Sequence, residues 1–301
     1  SLNLNLLSKK NIFLGTVVVL VAVYIIFSVY ITTLSIKATR KIPENTPSEL
    51  GMVYRDINFQ TSDGINLEGW YVDNKKNELV ILIHGVDSNK SDGKMLDIAK
   101  DIYDMGYKVM SFDLRAHGNS GGENLGLTYV ERDDLYSSIM FAKSELKIEE
   151  IVIYGTSYGA TIAVSNALMD DSIKGVILDS PFYDLPELLV SEVSNRTFIP
   201  PFIANLLKFG IIQSIKFLYQ IETNKILDRI HSIENFNSPV LMFHCEADDR
   251  IPISHSERIN RYLPDNSKFV IFDNCEHAQA YEKNTISFQN EIKDYLQTSF
   301  N

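Results

Sequence analysis

The sequence predicts an α/β fold with a mostly parallel, doubly wound sheet. Short apolar runs rich in Val and Ile alternate with stretches of helix length, which is typical of βαβ units. The hydrophobicity of these runs is continuous rather than alternating, as expected for strands that are buried on both faces of a parallel sheet. The predicted parallel strands are residues 79–83, 107–112, 151–154, 176–178, 240–243 and 269–272.

The sheet is predicted to open with an antiparallel hairpin and to carry a helical cap. Residues 53–61 and 65–72 flank a Ser-Asp-Gly turn, which favours a hairpin. The 57 residues from 182 to 238 contain no strand-like run but many apolar side chains at helical spacing. A connection this long inside a compact domain is usually a functional insertion, so we expect a helical cap at about residues 183–238.

An apolar segment near the start of the chain predicts a transmembrane anchor. Residues 12–36 are 25 consecutive uncharged residues, and a helix of this length spans a hydrocarbon core of roughly 30 Å. A cleaved secretory signal and a buried core helix are the alternatives. This interpretation divides the chain into a tail at 1–11, the anchor, a linker at 37–49 and a globular domain at 50–301.

Basic residues flank both ends of this segment in nearly equal number, Lys9 and Lys10 before it and Lys37, Arg40 and Lys41 after it. The positive-inside rule therefore does not fix the orientation. We expect a single-pass protein of the cell membrane, with a slight preference for a globular domain on the extracytoplasmic side.

The composition excludes several classes of function. Hydrophobic residues make up 45% and charged residues 22% of the 301 residues, which is sufficient for a large core. The net charge of −11 argues against a nucleic-acid partner, because such a partner needs a basic face. The chain lacks a GxxxxGK(S/T) phosphate loop, and two cysteines are too few for a four-cysteine zinc site. We expect neither a metal nor another cofactor.

A candidate nucleophile follows the third predicted parallel strand. Residues 155–159 read Gly-Thr-Ser-Tyr-Gly, a GxSxG pattern in which Ser157 stands between a strand and an apolar helix. A nucleophile elbow requires this context, because the serine hydroxyl must stand in a sharp turn above the sheet. Residues 118–122 match the same pattern without a strand before them or a helix after them, so Ser120 is expected to be an ordinary loop serine.

A serine nucleophile needs a histidine base and a carboxylate that orients the base, and after such an elbow the acid precedes the histidine in the chain. His277 follows the last predicted strand and every candidate acid, so it is the predicted base. The acid is expected in the loop after residues 240–243, where Glu246, Asp248 and Asp249 occur. Position in this loop does not separate the three carboxylates.

Two backbone amides are predicted to form an oxyanion hole, which would stabilise the negative charge of a tetrahedral intermediate. One is the amide of Tyr158, the residue after the candidate nucleophile. The other comes from the loop after residues 79–83, where Val86 follows His84 and Gly85. Glycine at position 85 permits the sharp turn that presents this amide.

The two cysteines, Cys245 and Cys275, follow two strands that are expected to be neighbours, and they lie in the loops of the candidate acid and base. Two buried free thiols are the preferred interpretation. A disulfide that braces the site is the alternative if the domain faces an oxidising compartment.

These residues together resemble the α/β-hydrolase superfamily, and in particular membrane-anchored bacterial serine hydrolases similar to lysophospholipases, dienelactone hydrolases and the prolyl-oligopeptidase catalytic domain. The likeness covers about residues 50–298. Cys245 and Ala116 stand where glycine is frequent in that family. The motifs that carry the resemblance, in chain order, are 63–71 (DGINLEGWY), 84–85 (HG), 113–122 (DLRAHGNSGG), 155–159 (GTSYG), 248–252 (DDRIP) and 276–278 (EHA).

The resemblance implies a role for each candidate side chain. Asp248 stands four residues before Pro252, as the acid does in the family's GxxDxxxP loop, so it is implied as the acid rather than Glu246 or Asp249. The implied site comprises the nucleophile Ser157, the acid Asp248, the base His277 and the oxyanion-hole amides of Val86 and Tyr158.

The expected activity is hydrolysis of carboxylic esters through an acyl-enzyme intermediate. An anchored enzyme meets lipids at high local concentration, so a small lipophilic ester or a lipid is the expected substrate, with membrane contact through the apolar helix at the start of the chain. A peptidase or amidase of the same fold and a non-catalytic, membrane-tethered interaction module are the alternatives.

Overall fold

A computed structural model of the chain describes residues 9–92 and 94–300, in which helices and strands alternate as predicted. The strands are β1 (Tyr54–Gln60), β2 (Asn66–Val72), β3 (Leu79–Ile83), β4 (Lys108–Phe112), β5 (Ile151–Thr156), β6 (Ile173–Asp179), β7 (Val240–Cys245) and β8 (Lys268–Phe272). The helices are α1 (Lys9–Ser35), α2 (Met95–Asp104), α3 (Glu131–Ser144), α4 (Tyr158–Ser165), α5 (Leu185–Arg196), α6 (Pro201–Tyr219), α7 (Thr223–His231), α8 (Ser254–Asn260), α9 (Ala280–Lys283) and α10 (Thr285–Ser299).

The strands form one sheet in the order β1-β2-β4-β3-β5-β6-β7-β8. β2 is antiparallel to both β1 and β4, whereas β4, β3, β5, β6, β7 and β8 run parallel to one another. The predicted mostly parallel sheet with an antiparallel hairpin at its start is therefore confirmed. β3, β5 and β7 are buried along their whole length, which is the physical reason for their continuous hydrophobicity.

Helices pack against this sheet and bury large aromatic side chains. Phe243 of β7 stacks on Phe288 of α10 with ring centroids 4.1 Å apart, and Tyr154 of β5 is fully buried. Burial of each such ring contributes about 2–3 kcal/mol before the entropy cost of ordering it. The sheet is thus a rigid platform for the loops that follow the carboxyl ends of its strands.

The chain divides into two compact units. One contains α1 and residues 186–222, and the other, the sheet unit, contains residues 37–185 and 223–300. The segment expected to form the cap, residues 183–238, consists of helices α5, α6 and α7 and a short 3₁₀ helix. Of these, α6 belongs to the first unit and α7 to the sheet unit.

Two helices have the length and apolar composition of a membrane span. In α1, Asn11–Ser35 has a mean hydropathy of 2.8. The second is α6, whose 19 residues have a mean hydropathy of 1.2. The segment at which we predict an anchor is therefore one continuous helix.

Arg40 makes several of the contacts that hold the predicted linker to the sheet unit. Residues 38–46 carry no helix or strand, yet Arg40 is fixed by hydrogen bonds to the loop after β4. Its guanidinium donates hydrogen bonds of 2.6–3.1 Å to the carbonyl oxygens of His117, Gly118, Ser120 and Gly122. The linker is consequently part of the sheet unit rather than a free spacer.

Candidate active site

The turn between β5 and α4 presents Ser157 above the carboxyl end of the sheet. Its backbone has φ 53° and ψ −114°, a conformation that costs a non-glycine residue of order 1–3 kcal/mol. A Cβ on Gly155 would collide with the carbonyl of Gly159, and one on Gly159 would collide with the carbonyl of Ile83. The glycines of the GxSxG pattern are therefore required by the close packing of this turn.

Three loops bring the three candidate catalytic side chains together. Ser157 Oγ lies 3.0 Å from Nε2 of His277, and Nδ1 of His277 lies 2.7 Å from Oδ2 of Asp248. Ser157 and Asp248 are 8% and 4% exposed, so both hydrogen bonds lie largely outside bulk water. The imidazole can accept a proton from the serine while the carboxylate fixes its orientation.

The carboxylate of Asp248 is held by several donors. The backbone amides of Arg250 and Ile251 donate to its Oδ1 at 3.1 and 2.8 Å. Burial raises the pKa of Asp248, but hydrogen bonds from His244 and His277 outweigh it and hold the pKa well below its usual range. Asp248 therefore stays ionised at neutral pH.

The contacts in the folded loop distinguish the three carboxylates among which position in the sequence did not identify the acid. Asp248 contacts His277, whereas the side chains of Glu246 and Asp249 are exposed. The residue implied by the GxxDxxxP likeness is thus the one that lies beside the candidate base.

His244 supports the acid loop, a role that sequence reasoning missed. Its Nε2 lies 2.8 Å from the carbonyl oxygen of Ile251 and 3.4 Å from Asp248 Oδ2, and its Nδ1 lies 2.7 Å from Ser256 Oγ. Because Nε2 faces two acceptors, it carries the proton, and Nδ1 accepts from the serine hydroxyl. The available signal was its position near the end of β7, four residues before Asp248.

The two predicted oxyanion-hole residues flank the nucleophile. Val86 lies in the loop after β3 and lines the same cleft as Ser157. Tyr158 is the first residue of α4, and amides in the first turn of a helix have no intrahelical acceptor. Its hydroxyl donates to Glu131 at 2.7 Å and accepts from the Thr128 amide at 2.9 Å, which fixes the residue.

The cleft beside Ser157 has a volume of about 230 Å³ and mixed polarity. Backbone and apolar groups of Gly85, Val86 and Met95 contribute to its walls. Its charged lining residues are Asp92, Lys94, Arg250 and Glu282.

A buried ion pair connects the loop that contains His277 to the turn that contains Ser157. Lys94 Nζ lies 2.8 Å from Asp179 Oδ2 and also donates to the carbonyl of Ala278, the residue after His277. The carbonyl of Asp179 in turn accepts a 2.7 Å hydrogen bond from the amide of Ser157. No sequence pattern marked Lys94, although the position of Asp179 at the carboxyl end of β6 was a signal.

Replacing Lys94 with methionine is expected to lower the free energy of unfolding by about 3–5 kcal/mol, because Asp179 would be left charged and buried without its partner. Urea denaturation of both proteins measures this difference. The matched control is Lys100→Met, which breaks a more exposed pair with Asp104 and should cost about 1 kcal/mol or less. Equal losses in the two variants would contradict the structural importance of the buried pair.

Cys245 and Cys275 form a disulfide, so the preferred interpretation of two free thiols was wrong. β7 and β8 are neighbouring strands, and Cys245 is in register with Phe272, which brings the two loops within bonding reach. The disulfide joins the loops of Asp248 and His277. It also gives a reason for cysteine at a position where the family frequently has glycine.

Replacing both cysteines with alanine is expected to lower the free energy of unfolding by roughly 3–4 kcal/mol, the chain-entropy value for a loop of 30 residues. Chemical denaturation of the two proteins without reductant checks the value. A reducing agent should destabilise the native chain and leave the double-alanine variant unchanged. Equal effects of reductant on both would contradict a stabilising bridge.

The other motif residues have structural roles. Ser120 Oγ donates to the carbonyl of Asp113 and accepts from the Glu68 amide, which confirms that this serine belongs to the loop framework. His117 is buried, and burial lowers its pKa to about 4, so it is neutral at pH 7. Ala116, the second departure from the family pattern, has φ 63°, in the region that favours glycine.

Within residues 9–92 and 94–300, no three His, Cys, Asp or Glu side chains are grouped so as to hold a metal ion. The polar groups beside Ser157 are instead arranged as donors, acceptors and ion pairs. They can carry out proton transfer and stabilise charge.

Known proteins share this architecture. A family model described as "Serine aminopeptidase, S33" (Hydrolase_4) matches residues 74–214. The esterase Pf2001 of Pyrococcus furiosus superposes with a TM-score of 0.73 over 87% of this chain and 99% of the esterase, at 22% identity. This chain has the fold of the α/β-hydrolase superfamily.

Two further proteins are similar to most of this chain. YqkD, an uncharacterised protein of Bacillus subtilis (strain 168), is 26% identical over 243 residues, which cover 77% of this chain and 76% of YqkD. A structure described as a membrane phospholipase A and bacterial virulence factor superposes with a TM-score of 0.59 at 16% identity, over 97% of this chain and all of that chain. At these identities, the structural similarities establish the fold alone.

Proposed function

We propose that this hydrolase is a membrane-anchored serine hydrolase that cleaves carboxylic esters of small lipophilic molecules or lipids. The observation that carries the proposal is the hydrogen-bonded series of Ser157, His277 and Asp248, with distances of 3.0 and 2.7 Å. An isolated serine hydroxyl is a weak nucleophile, and this arrangement supplies the base and the orienting carboxylate that activate it.

In the proposed mechanism, His277 Nε2 takes the proton of Ser157 Oγ as this oxygen attacks the ester carbonyl. The amides of Val86 and Tyr158 donate hydrogen bonds to the resulting oxyanion. Protonated His277 then gives its proton to the leaving alcohol, and an acyl-enzyme remains. A water molecule that is deprotonated by His277 hydrolyses this ester, while Asp248 stabilises the imidazolium in both halves of the reaction.

Several observations support a membrane-associated ester substrate and an extracytoplasmic sheet unit. The 25 residues of α1 from Asn11 to Ser35 are apolar and largely exposed, as in a helix that lipid surrounds. Proteins of the same fold include an esterase and a membrane phospholipase. A disulfide persists mainly in oxidising compartments, which favours a sheet unit outside the cytoplasm.

A serine peptidase is the second candidate, because the matching family model is described as a serine aminopeptidase. The same triad chemistry cleaves amides, so the choice between the two activities depends on the leaving group that the cleft accepts. Hydrolysis of p-nitroanilides separates these activities, because a serine esterase and a serine peptidase both cleave an activated p-nitrophenyl ester.

The test is to treat the full chain in detergent with a fluorophosphonate probe, which reacts with activated serines. We expect the probe on the peptide that contains Ser157, hydrolysis of p-nitrophenyl esters and no measurable hydrolysis of the matched anilides. Labelling with measurable anilide hydrolysis would favour the peptidase. A folded protein that does not react would contradict the serine hydrolase and favour the interaction module. The matched control is Ser88→Ala, which removes a different serine of the same cleft and should keep the label.

A further inference from the structure

Helix α6 has an exposed aromatic stripe. Phe202, Leu206, Phe209 and Phe217 are 72%, 66%, 69% and 74% exposed, and their spacing puts them on one side of the helix. Ala204, at a position facing away from the stripe, is buried. Scattered exposed apolar residues are ordinary, but three phenylalanines and a leucine exposed on one side of a single helix, with Gln213 between two of them, indicate a surface that binds an apolar partner.

The side chain of Tyr24 joins α6 to α1. Its hydroxyl donates to the Leu206 carbonyl at 3.2 Å and accepts from the Gly210 amide at 3.0 Å. In an α-helix these two backbone groups are hydrogen-bonding partners, so the tyrosine hydroxyl contacts α6 at one step of its backbone ladder. A Cβ at position 210 would collide with Ser28, and glycine therefore permits the close approach of the two helices.

The contact with α1 fixes the depth of α6. Within the predicted anchor at 12–36, residues 28–36 are mostly buried or half-buried, so the exposed apolar part is residues 12–27. This part is about 24 Å long, somewhat shorter than a hydrocarbon core of roughly 30 Å. Tyr24 and Ser28 stand at the carboxyl end of that part, near one membrane surface if α1 spans the bilayer. The stripe residues Leu206 and Phe209 are at or next to the positions of α6 that Tyr24 contacts, so they lie at this level of α1.

Chain connectivity excludes a full crossing by α6. The chain leaves the sheet unit after Leu185 and re-enters it at Thr223, so one crossing would place two halves of that unit on opposite sides of the membrane. A second crossing is not available, because the 12 residues of α5 include three charged side chains and extend only about 18 Å. Lys208 and Lys216 in α6 can extend their amino groups to the headgroups from a helix that lies along the surface.

We propose that α6 is an interfacial membrane helix whose partner is the lipid bilayer itself, with its aromatic stripe inserted into the leaflet that the carboxyl end of α1 enters. The inference rests on the proposed anchoring by α1. It adds a second membrane contact, from the segment that we expected to form the cap. The hydrolase would thus be held against the surface that contains its lipophilic substrate.

Depth-dependent fluorescence quenching tests this arrangement in the full chain, with each variant made in a Trp70→Phe background because the sequence contains one native tryptophan. Phe209→Trp is reconstituted into phosphatidylcholine vesicles with acyl chains brominated near the headgroup, at carbons 6 and 7. We expect its emission to fall to about half, because interfacial helices bury their apolar face about 5–10 Å deep. Tyr136→Trp, an exposed aromatic position in the sheet unit, is the matched control and should change little.

A third variant, Leu20→Trp in the exposed part of α1, separates failure of the anchor from failure of the inference. Quenching at position 20 with none at position 209 would contradict the interfacial position of α6 and support α1 as the membrane anchor. Absence of quenching at both positions would overturn the anchor and the inference together.

A charge on the stripe gives an independent readout. Phe209→Asp is expected to keep its activity on a soluble short-chain ester and to lose about tenfold on an ester dissolved in vesicles, because a buried carboxylate opposes insertion. Leu168→Asp, at an exposed apolar position of the sheet unit, should lose neither activity. Equal vesicle activity of Phe209→Asp and the native chain would contradict the proposal.

Discussion

Replacing Ser157 with alanine is expected to lower kcat for an ester substrate by about 10⁵–10⁶-fold, the size of loss that follows removal of the nucleophile from a serine protease triad. Without Oγ, His277 has no hydroxyl to deprotonate and no acyl-enzyme forms. The residual rate would come from substrate binding and from the amides of Val86 and Tyr158, which the substitution leaves in place. Steady-state kinetics with a p-nitrophenyl ester measure the loss.

Stability should change little or improve in this variant. Ser157 is held at φ 53° by its surroundings, and alanine can occupy the same conformation at a similar cost. The control is Ser88→Ala, which should keep kcat within about twofold of the native value because its hydroxyl donates to Asp92 and contacts neither His277 nor Asp248. Retained activity in a folded Ser157→Ala protein would exclude the proposed nucleophile.

Asp248→Asn is expected to lower kcat by about 10⁴-fold, the effect of the corresponding change in a serine protease triad. Asp248 Oδ2 lies 2.7 Å from His277 Nδ1 and holds the tautomer in which Nε2 is free to accept the serine proton. An asparagine can present its NH₂ group to Nδ1 instead. The proton would then reside on Nε2, and the base would be lost.

The chain supplies close controls for this prediction. Asp249→Asn and Glu246→Gln neutralise exposed carboxylates in the same loop and should leave kcat within about twofold of the native value. They separate orientation of His277 from a general effect of loop charge. A loss in Asp249→Asn as large as that in Asp248→Asn would contradict the assignment of the acid.

Most of the fold was predictable from sequence, because its strongest signals are local. A strand that is buried on both faces must be apolar throughout, so β3, β5 and β7 were recognisable as continuous runs. The elbow was recognisable for a similar reason, since Ser157 and its two glycines occur between one such strand and an apolar helix. These features depend on neighbouring residues alone.

The acid was only partly predictable. The loop contains three carboxylates within a span of four residues, Glu246, Asp248 and Asp249. A loop has no regular repeat, so the direction of each side chain could not be predicted. The family likeness selected Asp248, and in the folded loop Asp248 contacts the candidate base His277. The amides of Arg250 and Ile251 hold its carboxylate toward His277.

The sequence by itself determined the α/β class, the antiparallel hairpin, the apolar helix near the start of the chain and the candidate serine and histidine. Only the tertiary structure decided the bridge between Cys245 and Cys275, the pairing of Lys94 with Asp179 and the contact of Tyr24 with α6. The partners in these contacts are 30, 85 and more than 180 residues apart. Such contacts depend on strand order and helix packing, which bring distant residues together and leave no local pattern.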